Sequence, residues 1–235
     1  MPRKKLLVIG PISPQPSDLS SLSRTLHFLE PYYSIDCLDS LAYMQECTTE
    51  EYYEIWKDQL KQIIDNYKAF IGFSFGGMIL QQCFSLFSNL DKTIILFSTP
   101  TFADDSLKEK LETVITLCSE NKLEEALFFL YRSVYSPDAI FHYPQEHLNR
   151  ERAIDRLVFG LSKVLETNAT SILRNCCINH LHLIGEKSNL VNINNVIKPS
   201  CGEVIIVPNA SMRVLESNPS YCKKIILEAL KYATC

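Results

Sequence analysis

Ala69-Phe70-Ile71-Gly72-Phe73-Ser74-Phe75-Gly76-Gly77-Met78-Ile79-Leu80 is the stretch that decides how this chain is read. One apolar run enters Gly72-x-Ser74-x-Gly76 and a second apolar run leaves it. That order predicts a buried strand, a sharp turn and a helix, with Ser74 at the apex, which is the spelling of a nucleophile elbow. The chain has seven glycines, and Gly72, Gly76 and Gly77 fall within these few residues. Small residues on both sides of Ser74 let strand and helix approach closely. Such a turn lifts the Ser74 hydroxyl above the sheet and points the Phe75 amide N–H to where an oxyanion would form. The alternative is a plain tight turn between strand and helix, in which Ser74 has no chemistry.

Outward from this turn, the pattern alternates between strand and helix. Lys5-Leu6-Leu7-Val8-Ile9-Gly10 is a continuous apolar run closed by glycine, as expected of a strand covered on both faces. After a loop over residues 11–16, Ser17 or Asp18 caps a helix with Leu19, Leu22, Leu26 and Leu29 on one stripe, stopped at Pro31. Tyr32-Tyr-Ser-Ile-Asp-Cys37 then reads as a second strand, and a strand–helix–strand start predicts parallel pairing. Thr48 and Glu51 have capping-box spacing ahead of a helix carrying Tyr52, Ile55, Leu60 and Ile63. Beyond the elbow, residues 92–98 form another apolar strand ended by Thr99-Pro100.

From residue 106 to about residue 175 the strand signal disappears. Amphipathic helices fit residues 107–118, 123–135 and 151–165, with a polar and aromatic loop between the last two. A helical insertion placed over strand C-termini is a lid. Strand patterns return at residues 178–184 and 203–207, and Asn218-Pro219 opens a closing helix. The expected organisation is a single α/β domain, with core residues 1–105 and 176–235 and a lid of residues 106–175.

A chain of 235 residues suits one such domain with an insertion. Apolar content of 46% and charged content of 21% are ordinary for a soluble globular protein. The formal charge of −4 gives no reason to expect nucleic acid or an anionic membrane as partner. The apolar run after Arg3-Lys4-Lys5 breaks at Gly10-Pro11, too short for a signal segment or a membrane span. None of the nine cysteines forms a C-x-x-C pair, and most sit among apolar neighbours. The expectation is reduced thiols in a cytoplasm. No metal, nucleotide or flavin motif is present, so no cofactor is expected; Glu30, Asp36 and Asp39 lack metal-ligand spacing.

With the elbow placed, the order of elements resembles the α/β-hydrolase superfamily over nearly the whole chain. Its size and lid position look most like small carboxylesterases and acyl thioesterases of the pimeloyl-carrier-protein methyl ester esterase type. Thr49-Glu50-Glu51-Tyr52 resembles the family's opening of its second helix. Leu183-Ile184-Gly185-Glu186-Lys187 resembles the strand end before the triad acid, and the segment from Val207 to Pro219 resembles the one that carries the triad histidine. The resemblance implies a mostly parallel sheet with helices on both faces, Ser74 as nucleophile, Phe75 as an oxyanion N–H, and ester or thioester hydrolysis.

Three positions depart from that pattern. The acid slot reads Ser188-Asn189, and the histidine slot falls on Ser211. The oxyanion loop reads Ile9-Gly10-Pro11-Ile12, with a proline where an N–H is needed. A serine without a base is a poor nucleophile at neutral pH. Of the five histidines, His27 lies on the first helix, and His180 and His182 alternate along a buried strand. His142 and His147, in or beside the lid loop, are the only substitutes for the missing base, set against the plainer reading of solvated loop residues. Asp104 and Asp105 fit a helix cap before Leu107 better than an acid role. The lid aromatics Phe128, Phe129, Tyr131, Tyr135, Phe141 and Tyr143 fit either lid–core packing or an apolar acyl pocket.

Two functions follow. One is an esterase or thioesterase in which Ser74 attacks an acyl carbon and a lid histidine serves as base. The other is a non-hydrolytic member of the fold that binds a small acyl or apolar ligand, or a protein partner of unknown kind. Lyase or transferase chemistry in the same pocket stands between them.

Overall fold

The computed structural model describes residues 3–138 and 148–232. Six strands form one parallel sheet in the order β2-β1-β3-β4-β5-β6. They are β1 (Lys4–Ile9), β2 (Tyr33–Leu38), β3 (Ala69–Phe73), β4 (Thr93–Phe97), β5 (Leu181–Gly185) and β6 (Glu203–Val207). β1, β3 and β4 each carry an unbroken apolar run, as strands covered on both faces require. Leu7, Ile9 and Phe70 point into one core, while Leu6, Val8, Ala69 and Ile71 point into the other. This is the α/β architecture that the alternating pattern predicts.

The first core lies under α2 (Thr49–Ile63), α3 (Phe75–Gln82) and the insertion helices α4 (Asp105–Ser119), α5 (Leu123–Tyr135) and α6 (Arg150–Glu166). The second lies under α1 (Ser20–Thr25), α8 (Val214–Ser217) and α9 (Pro219–Ala229); a short α7 (Thr170–Asn175) precedes β5. The Thr48–Glu51 capping box forms in both directions: Glu51 N–H donates to Thr48 Oγ1 at 3.2 Å, and Thr48 N–H to Glu51 Oε2 at 2.8 Å. Asp104 caps α4, accepting the Leu107 N–H at 2.9 Å.

Several expectations need correction. The leucine stripe before Pro31 is not one helix. It is a 3-10 turn over Pro16–Leu19, the single α-turn pair of α1, and a second 3-10 turn over His27–Leu29. β5 begins at Leu181, so His180 precedes the strand. The expectation of reduced thiols fails at one pair. Cys177 and Cys201, at the approaches to the paired strands β5 and β6, lie 5.0 Å apart at Cα and are disulfide-bonded. Cys83, Cys118 and Cys222 are buried free thiols, and burial pushes each of them up in pKa. No helix among the described residues is long and apolar enough to cross a membrane.

β1 pairs with β2 on one side and β3 on the other, so the strand order reverses at β1. In open α/β sheets, ligands bind in the crevice at the strand C-termini beside such a reversal. Here the C-termini of β1 and β3 bring together Gly10-Pro11-Ile12 and Ser74.

Candidate active site

Ser74 sits between β3 and α3 with φ 50° and ψ −113°, outside the regions that an L-residue prefers. Its N–H donates to Phe97 O at 2.8 Å, and its carbonyl accepts from Gly77 and Met78 at 3.0 and 3.2 Å. Close approach explains the glycines. A Cβ on Gly72 would lie 2.5 Å from the Gly77 Cα, and one on Gly76 would overlap the Ile9 carbonyl oxygen. Phe75 opens α3, so its N–H is one of those at a helix start with no intrahelical acceptor. Its ring is buried and stacks 6.0 Å from that of Tyr52.

Above Ser74 is a cavity of about 730 Å³. Leu107 and Leu111 of α4, Leu130 and Val134 of α5, and Leu161 and Val164 of α6 wall one side. Pro11, Ile12, Phe97, Leu190, Val191 and Met212 add to the apolar lining, and Asp18, Arg24, Arg213 and Glu216 supply charge. Tyr131 and Tyr135 line it as well, whereas Phe128 is exposed and Phe129 packs against the core. Phe141 and Tyr143 lie outside the described residues.

The loop that follows β1 is held from two sides. Gly10 N–H donates to Leu38 O at 3.0 Å. Ile12 occupies a notch in α6 at Gly160, where an added Cβ would come within 2.8 Å of its side chain. One helical turn earlier on the same face, Arg156 donates from Nε to Ser13 O at 2.9 Å. It also forms an ion pair with Asp39 at 2.9 Å, and the Arg156 side chain is only 3% exposed. Nothing local announces this grip, because Arg156 and Asp39 are 117 residues apart. No motif in the sequence marks Ser98 either. It follows β4 with φ 43°, lines the cavity, and donates from Oγ to Met212 O at 2.7 Å.

The segments read as acid and base slots are neighbours. Lys187 N–H donates to Ala210 O at 2.9 Å, and Gly185 packs against the carbonyl of Ser211. Ser188 is buried, and its Oγ has no hydrogen-bond partner among the described residues. Ser211 is fully buried; its Oγ lies 2.8 Å from Ser217 Oγ and accepts the Arg213 N–H at 3.2 Å.

Among the described residues no histidine lines the cavity. His27 is exposed, with Nδ1 2.8 Å from Glu30. His180 is buried and bonds the Ile178 carbonyl through Nδ1 at 2.8 Å. His182 accepts the Thr99 N–H, and burial, aided by the charge of His180, lowers its pKa to about 3. Both rings are core residues. His142 and His147 lie outside the described residues. Among the described residues no three His, Cys, Asp or Glu side chains gather as a metal site requires.

No protein-family model matches the chain, and no curated protein sequence does. Solved structures do match along nearly its whole length. MGS-M2, an α/β hydrolase enzyme from a Medee basin deep-sea metagenome library, superposes with a TM-score of 0.73 at 12% identity, covering 99% of this chain and 91% of that one. The 2-hydroxy-6-oxo-6-phenylhexa-2,4-dienoate hydrolase from Rhodococcus sp. strain RHA1 gives a TM-score of 0.75 at 11% identity, covering 97% and 91%. A thermophilic esterase gives 0.66 at 17% identity, covering 97% and 90%. With the parallel six-stranded sheet and Ser74 at its strand-to-helix turn, these similarities show that the chain has the α/β-hydrolase fold.

Proposed function

We propose that this chain comes from the ester and thioester hydrolase lineage and binds a small acyl or other apolar ligand in the cavity over Ser74, without efficient hydrolysis. In this reading, residues 106–175 act as the lid, and Ser188 and Ser211 stand at the positions of the missing acid and base. One observation carries the reading: the apolar cavity opens directly on Ser74, yet no imidazole lines it among the described residues.

The magnitudes favour binding. Acyl transfer needs Ser74 Oγ to attack the acyl carbon while its proton passes to a base and then to the leaving alkoxide or thiolate. In a serine protease, loss of the histidine costs about 10⁶ in turnover. Loss of one oxyanion donor costs about 10²–10³, and Pro11 has no N–H to supply one. Ligand binding needs none of these groups.

A second reading keeps catalysis, with Ser74 as nucleophile, Phe75 N–H on the oxyanion, and His142 or His147 as base. It is favoured by the backbone of Ser74, because a residue held at φ 50° costs about 1–3 kcal/mol and persists best where it serves a purpose. The test uses a serine-directed alkyl phosphonate and short p-nitrophenyl esters, with Ser74→Ala as control. The binding reading expects no labelling and no hydrolysis above the Ser74→Ala background. Stoichiometric labelling at Ser74, with turnover lost in His142→Ala or His147→Ala, would replace it with the second.

A further inference from the structure

Three residues from two segments of the core converge on the C-terminal end of α5, whose residues Leu130, Tyr131 and Val134 wall the cavity. Arg213 sets its guanidinium 5.0 Å from the ring centre of Tyr135. Asn189 Nδ2 donates to Ser136 Oγ at 2.7 Å. Ser217 Oγ donates to Asp138 Oδ2 at 2.6 Å.

The hydroxyl protons have a fixed sense. A serine hydroxyl has one proton and two acceptor sites. The proton of Ser217 goes to the Asp138 carboxylate, so its oxygen receives from Ser211 twice, from the N–H at 3.1 Å and from the hydroxyl at 2.8 Å. The Ser211 proton is thereby committed toward Asp138. Hydrogen bonds run in one direction from buried Ser211 through Ser217 to a carboxylate just past α5. A chain of this polarity, ending on an ionised group, is stronger than separate neutral pairs.

The segments at residues 188–189 and 211–217 thus hold the end of the helix that covers Ser74. We infer that Asn189, Arg213 and Ser217, with Ser211 behind them, form a latch that keeps α5 closed over the cavity and sets how fast a ligand enters and leaves. The inference rests on the cavity being a ligand site. A latch stabilises the closed form equally with and without ligand. Releasing it therefore speeds entry and exit together and leaves the affinity alone.

The experiment compares the whole protein with the Asn189→Ala/Ser217→Ala variant, and with Asp138→Asn as a milder change that preserves shape. Hydrogen exchange is followed over residues 128–138, and uptake and release of dansyl-undecanoic acid by stopped-flow fluorescence. Losing a hydrogen bond to a charged group predicts exchange about tenfold faster in that segment in the double variant, and a smaller rise in Asp138→Asn. Both probe rates should rise by the same factor, with the dissociation constant changing less than about twofold. Unchanged exchange in both variants overturns the latch. So does a faster release with unchanged entry, which would make these residues direct ligand contacts. If the unaltered protein takes up no probe, the cavity reading falls, and the exchange rates alone decide whether α5 is clasped.

Discussion

His182 Nε2 accepts the backbone N–H of Thr99 at 3.0 Å, and the side chain of Thr99 fills the space where a Cβ on Gly77 would have to go. A buried ring on β5 thereby braces the first turn of the helix behind Ser74. The bond requires Nε2 to be unprotonated, which fits the ring's full burial.

This bond makes stability sensitive to acid. The folded pKa of His182, about 3, lies below the ordinary value, so the unfolded chain binds the proton first. The contribution is fully present above about pH 6.5 and is lost at about 1 kcal/mol per pH unit as the pH falls below that. His182→Gln keeps an acceptor but does not titrate. Its urea-unfolding free energy should fall less steeply than that of the unaltered protein between pH 6.5 and 4. Parallel profiles would show that His182 does not contribute to acid sensitivity.

The turn between β3 and α3 should tolerate no added methyl at Gly76. Its Cβ would strike the backbone of Ile9 and Gly10 in the adjacent strand, where nothing flexible can yield. Gly76→Ala is expected to cost about 3 kcal/mol or more, read as a lower urea midpoint. An unchanged midpoint would mean that strand and helix are not so closely apposed.

The buried pair Arg156–Asp39 should behave as a unit. Arg156→Met leaves the Asp39 carboxylate, whose side chain is 12% exposed, without its partner and is expected to cost about 3–5 kcal/mol. Adding Asp39→Asn should recover part of that loss. Strictly additive losses in the double-mutant cycle would contradict the pairing.

Restoring a base should restore chemistry if Ser188 and Ser211 stand at the acid and base positions. Ser211→His combined with Ser188→Asp is expected to raise p-nitrophenyl butyrate hydrolysis by about 10²-fold. The gain should vanish on adding Ser74→Ala. A folded variant with no gain would refute that placement.

The α/β pattern was legible because it is local. Apolar runs covered on both faces read as β1, β3 and β4, and the Thr48–Glu51 box marked α2 within a few residues of its start. The G-x-S-x-G spelling located Ser74 because the turn can form only if small residues flank it. The leucine stripe after Pro16 misled, since helical spacing does not distinguish one helix from a short helix flanked by 3-10 turns.

By itself, the sequence determined the alternation of strands and helices, the place of Ser74, and the absence of histidine and aspartate at residues 211 and 188. Tertiary structure alone decided the Arg156–Asp39 grip on the loop after β1, the Cys177–Cys201 bond, and the Ser211–Ser217–Asp138 chain. The physical reason is range. Strand and helix patterns are set by neighbours a few residues away, whereas these contacts join residues brought together only when the sheet and its insertion pack.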